Sequence, residues 1–147
     1  MNRRSLFGTG LWAAAGAFAT TIPSRARAMS NPDLPRAVYH LSDIDKPVFV
    51  LGNMRNHLAG TGKNVQLALV VHGPPLMAFR RAANNEALKN AVAGLKGDGV
   101  AFFACSNTMR GMGLTLEQLL PGFAAADKGG VVKLAELQGQ GWAYIRP

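Results

Sequence analysis

Short apolar runs along this chain alternate with stretches in which apolar residues recur every three or four positions. The run from Asn64 to His72 is almost continuously apolar. That pattern predicts a strand buried on both faces, as at the centre of a parallel sheet. Ala37–His40, Val100–Ala104, a short run starting at Phe123, and Trp142–Ile145 read as further strands. Between them, Pro47, Val50, Leu51, Met54 and Leu58 share one helical face, and Leu88, Ala91, Val92 and Leu95 share another. Val131, Leu134 and Ala135 begin a last helix that Gly139 stops. Shorter helical turns are expected around residues 76–81 and 115–120.

Polar punctuation supports this division. Ser42, Asp43 and Asp45 offer capping oxygens before Pro47, which suits the first turn of a helix. Asn84 or Asn85 does the same before Glu86, and Ser106-Asn107 before the turn that loosens at Gly111 and Gly113. Gly60-Thr61-Gly62, Gly73-Pro74-Pro75 and Gly97-Asp98-Gly99 break the elements. Strands alternating with helices predict an α/β fold: a three-layer α/β/α sandwich around a mostly parallel sheet of about five strands.

The first 28 residues follow a different pattern. Arg3-Arg4 precedes a weakly apolar stretch from Leu6 to Ile22, followed by Arg25, Arg27 and the small-residue triplet Ala26-Arg27-Ala28. This is the layout of an export signal, and the paired arginines point to the twin-arginine route. The stretch is short and glycine-broken for a membrane span. The expectation is a signal over 1–28 cleaved after Ala28, an extended lead-in over 29–35, and one α/β domain over 36–147 in the periplasm. No membrane association is expected after cleavage.

The formal charge of +8 then drops by four, because the leader carries four arginines and no acid. Only Arg80-Arg81 remains as an adjacent basic pair, without interleaved aromatics, so a nucleic-acid groove is not expected. A domain of this size buries roughly two-thirds of its unfolded surface and needs no staples. With one cysteine in the chain no intramolecular disulfide is possible.

That cysteine, Cys105, stands where a strand gives way to a helix. His40 and His72 close two other strands, so all three fall on the carboxyl edge of the sheet, where ligands bind in this architecture. Three readings fit. A thiol facing a helix N-terminus is biased toward thiolate and suits nucleophilic or sulfur-transfer chemistry, with Arg110 or a histidine assisting. Two imidazoles and a thiolate suit zinc or copper, but no tight ligand pair supports a metal site, and none is assigned. Alternatively Cys105 is simply packed, since free Cys is among the most buried residue types. His57 lies on a helix and is given no role. Gly60-Thr61-Gly62-Lys63 lacks the spacing of a phosphate loop. Met109, Met112 and Leu114 read as packing. No cofactor is implied.

Val38-Tyr39-His40, Asn53 to Leu58, Val70 to Gly73, Phe103-Ala104-Cys105-Ser106-Asn107-Thr108 and Gln140 to Pro147 together resemble the DsrE/DsrF-like proteins, in particular the small single-domain YchN-like branch. The resemblance implies an α/β/α fold and a homotrimer or homohexamer. In the sulfur-relay members it also implies a persulfide-carrying cysteine at the position of Cys105. Those members are cytoplasmic, whereas this chain carries an export-like leader. The expected function is an exported protein that handles sulfane sulfur on Cys105 with a sulfur donor or acceptor protein. Asn107 and Arg110 would support the thiolate, and His40, Asp43, His72, Gly73, Ser106 and Thr108 would shape the pocket. The alternative is a non-catalytic oligomeric module that binds a small ligand or partner and keeps Cys105 as a structural residue.

Overall fold

A computed structural model describes residues 34–147; the signal expected over 1–28 and residues 29–33 of the expected lead-in lie outside the described residues. Five strands form one sheet: β1 (Arg36–Leu41), β2 (Gln66–Val71), β3 (Ala101–Cys105), β4 (Phe123–Ala126) and β5 (Ala143–Ile145). Their spatial order is β4-β3-β2-β1-β5, and every pairing is parallel. The chain steps outward from β1 to β4, then returns across the sheet to add β5 beside β1.

Among the described residues four α-helices accompany the sheet: α1 (Pro47–Gly60), α2 (Glu86–Gly97), α3 (Ser106–Gly111) and α4 (Gly130–Gly139). Short 3₁₀ turns occupy Pro74–Phe79 and Leu116–Gln118. The strand alternation sorts the core. Tyr39, Leu41, Leu69, Val71, Phe102 and Ala104 face α1 and α2, together with Leu51, Met54, Val92 and Leu95. Val38, Ala68 and Val70 face the other way and pack under Leu134 and Leu137 of α4. The α1 stripe is buried as its spacing predicts. In α4 Leu134 is buried as its spacing predicts, but the second buried side chain is Leu137, while Val131 stays 68% exposed. Two buried leucines contribute roughly 3–6 kcal/mol, a modest anchor for the one helix that covers this side.

Two caps differ from expectation. The residue ahead of α1 is Lys46, whose ammonium can only donate and so cannot cap, while Ser42 and Asp43 accept instead from Arg146, more than a hundred residues away. The residue ahead of α3 is Cys105 itself, so Ser106 and Asn107 already belong to the helix. Asn85 does cap α2, accepting from the Leu88 N–H at 3.0 Å.

Candidate functional site

Parity along the strands decides which side chains meet. Val38 and His40 in β1, Val70 and then His72 after β2, and Phe103 and Cys105 in β3 all face the α4 side. His40 pairs in register with Val70, and Val71 with Ala104, which sets His72 beside Cys105 at the carboxyl edge. Tyr144 of β5 pairs with Val38 and joins the same face.

Above Cys105, two helices start on opposite faces of the sheet. Met109 of α3 packs into the α1/α2 core, while α4 covers the other side. A crevice between strands whose following helices diverge is where open α/β sheets bind ligands. Cys105 ends β3 at that divergence, buried with 5% of its surface exposed. Burial pushes the thiol pKa up, but hydrogen bonds from the Thr108 hydroxyl and from the backbone N–H groups of Thr108, Gly130 and Asn107 outweigh it, so the pKa is lowered. Donors from both helices therefore converge on one sulfur. The Thr108 hydroxyl in turn accepts the Gly73 N–H at 2.9 Å, which orients its own hydrogen away from β2.

Close approach of α4 depends on two glycines. A Cβ on Gly130 would lie 3.1 Å from the His72 Cβ and 3.2 Å from the Cys105 Cβ. Gly129 has φ +103°, and a Cβ there would lie 2.7 Å from the Asn107 amide nitrogen. The backbone N–H of Gly130 can reach the sulfur only because no side chain stands between them.

Beside the thiol lies a second cluster. His40 Nδ1 is 2.6 Å from the Tyr144 hydroxyl, and His40 Nε2 is 2.6 Å from His72 Nε2. The two imidazoles stack with centroids 4.7 Å apart at 22°. Burial lowers both histidine pKa values, helped for His40 by His72 and for both by the Arg146 charge; His40 drops from 6.5 to about 4. Arg146 is held by Ser42 at 3.0 Å and by Asp43 at 3.2 Å.

The residues expected at the site are thus divided between two clusters. Cys105, Thr108 and Gly73 form one unit, together with the Asn107 backbone. His40 and His72 form another, with Asp43 ion-paired to Arg146 and its charge opposing that of Arg146 on His40. Ser106 is buried in the first turn of α3. Arg110 donates to the Asn107 side-chain amide oxygen Oδ1 and is absent from the donors on the thiol. His57, given no role from sequence, pairs its Nδ1 with the Tyr39 hydroxyl at 3.0 Å. Gly129, Gly130, Tyr144 and Arg146 escaped notice. Their signals were a glycine pair opening a helix after an edge strand, and a tyrosine and arginine flanking the last strand residue. Among the described residues, no group of three or more His, Cys, Asp or Glu side chains could hold a metal ion. No described helix is long and apolar enough to cross a membrane.

Residues 37–147 match the model of the DsrE/DsrF-like family. No curated protein matches the chain. Among solved structures, the Methanobacterium thermoautotrophicum protein of unknown function MTH1491 is 33% identical, with a TM-score of 0.69 over 77% of this chain and 99% of that one. The ychN protein of E. coli is 16% identical, with a TM-score of 0.61 over 78% of this chain and 100% of that one, a likeness of fold.

Proposed function

We propose, from the premise that the chain belongs to the DsrE/DsrF-like family, that Cys105 accepts and passes on sulfane sulfur as a persulfide. The observation that carries this reading is the convergence of the Thr108 hydroxyl and three backbone N–H groups on the Cys105 sulfur. Such a cradle favours thiolate over thiol, and thiolate is the nucleophile. The same donors suit a terminal persulfide anion. Attack on thiosulfate would form the new S–S bond at the sulfane sulfur and release sulfite with the electron pair of the broken bond. Asn107 contributes through its backbone, and Arg110 supports it by holding its side chain. The paired arginines of the leader support export to the periplasm.

Incubation of the full chain with thiosulfate or polysulfide, followed by intact-mass measurement, tests the reading. One added sulfur on the wild type and none on Cys105→Ala is expected. No adduct, or an equal adduct on the variant, would sink it.

A second reading has its own support. Ile44, Val48, Phe49 and Val131 are large, apolar and more than half exposed, and all lie in segments leaving the carboxyl edge. Large apolar side chains left exposed on two elements near one edge of the sheet support an interaction surface there where they join into one patch. A homotrimer or homohexamer, or an acceptor protein docked at the thiol, would cover it. Light scattering across a dilution series separates these: a constant mass of three or six chains supports self-assembly, and a monomer at all concentrations refutes it.

A further inference from the structure

The Tyr144–His40–His72 line ends beside Cys105, yet sulfur carriage on a cradled thiolate leaves it without a part. Its geometry restricts its protons. Two Nε2 atoms 2.6 Å apart need one proton between them, and the Tyr144 contact at 2.6 Å needs another. With both rings neutral, two arrangements satisfy this. In the first, the Tyr144 hydroxyl donates to His40 Nδ1, His40 Nε2–H donates to His72 Nε2, and His72 carries its proton on Nδ1. In the second, every bond is reversed: His72 Nε2–H donates to His40, His40 Nδ1–H donates to Tyr144, and His72 Nδ1 is bare. Passing from the first to the second delivers one proton at His72 Nδ1 and takes up one from water at Tyr144. Tyr144 is 42% exposed, so that end meets solvent. At the other end, the His72 and Cys105 Cβ atoms flank the same glycine, Gly130. Both rings disfavour the imidazolium form, which suits transfer by exchange of tautomers rather than storage of a charge.

We infer that Tyr144, His40 and His72 form a proton wire that protonates the thiolate expelled when Cys105 attacks a sulfur–sulfur bond. The inference rests on the reading of Cys105 as the attacking thiolate and narrows its sulfur donors to alkyl persulfides, whose leaving thiolates need a proton near neutral pH; dialkyl disulfides, which expel the same kind of thiolate but carry no sulfane sulfur, serve as probes. With an alkyl persulfide, the Cys105 sulfur bonds to the outer sulfur, and the S–S bond breaks with its electron pair on the alkyl sulfur. That sulfur takes the His72 Nδ1 proton. His72 Nε2 is refilled from His40, His40 Nδ1 from Tyr144, and Tyr144 from water. The sulfane sulfur keeps its oxidation state, so no external oxidant or reductant is required. The reverse flow removes the proton of an incoming acceptor thiol.

The test compares leaving groups. The full chain is reacted at neutral pH with a dialkyl disulfide, whose thiolate must be protonated, and with a nitro-substituted diaryl disulfide, whose thiolate leaves unprotonated. The ratio of the two rates cancels changes in Cys105 nucleophilicity, so a merely structural role would not move it. In His40→Gln the alkyl-to-aryl ratio should fall roughly 10²-fold, the lower end of general acid catalysis. Tyr144→Phe, on the exposed edge strand, should lower it in the same direction. An unchanged ratio in either variant overturns the wire. Uptake of one sulfur from an alkyl persulfide, measured by mass on separate aliquots of the same proteins, separates the two ideas. Uptake with an unchanged ratio overturns the wire alone, whereas a lowered ratio without uptake overturns sulfane-sulfur carriage and keeps the wire. A wild-type Cys105 inert to both disulfides overturns both.

Discussion

Cys105 is buried and yet held below the usual thiol pKa, and the outcome turns on Thr108. Its hydroxyl and its backbone N–H both reach the sulfur, and the Gly73 N–H fixes the hydroxyl as a donor. Thr108→Val keeps the shape and removes that donor. The inflection in the rate of Cys105 alkylation against pH should move upward in the variant, and an inflection that stays in place would assign the cradle to backbone groups alone. Sequence reasoning reached Cys105, His40 and His72 because each closes a strand, and strand parity put all three on one face. It also reached Asn107 and Thr108, at the helix start that follows the thiol, but not the donor from α4. Gly130 lies 25 positions beyond Cys105 in the chain, and its N–H finds the thiol only through the docking of α4. Nor could it foresee that Ser42 and Asp43 would serve Arg146 instead of capping α1.

Among the elements that carry the site, α4 is thinly anchored, since its buried face is little more than Leu134 and Leu137. Its position is set instead by how closely its first turn approaches the strand ends. Gly130→Ala should therefore push the helix outward against the rigid His72 and Cys105 Cβ atoms, costing about 1–3 kcal/mol of stability and slowing alkylation of Cys105. Gly94→Ala in α2 has nothing within 4 Å of the new Cβ and should gain about 0.5–1 kcal/mol. Urea unfolding of the pair checks both signs; if both destabilise, close approach is not the reason for Gly130. The helices with full apolar stripes, α1 and α2, were readable from periodicity. For α4, the same periodicity pointed to Val131 and Ala135, which remain exposed because a sheet covered by one helix on that side buries only the residues beneath its axis.

For the whole molecule, the alternation of strands and helices announced a parallel α/β sheet, but not its order. β5 has three residues, and both Ala143 and Tyr144 are exposed. Its hydropathy gives no reason to prefer the β1 edge over the β4 edge. That choice builds the His40–Tyr144 contact and brings Arg146 toward the histidines, so it governs how stability responds to acid. The fold favours neutral rings, with His40 lowered from 6.5 to about 4 and His72 lowered as well. Between those values the unfolded chain binds protons that the folded chain refuses. Stability is thus complete above about pH 6.5 and is lost as pH falls through about 4. Urea midpoints measured across that window should fall with pH, and His40→Gln should flatten the fall; an equal slope in the variant would clear His40 of the effect.

The link between His40 and Tyr144 spans 104 positions in the chain. Local helices and the β1–β2 and β2–β3 neighbours close short loops, whereas this contact must wait for one of the longest, and long-range closures form late. A chain still emerging from the ribosome can already have paired β1, β2 and β3 and seated Cys105 at its strand end. It cannot yet have a tyrosine at the far side of His40. Thiol and relay are therefore assembled at different moments of folding, and a partly folded chain exposes the sulfur before it can manage the accompanying proton.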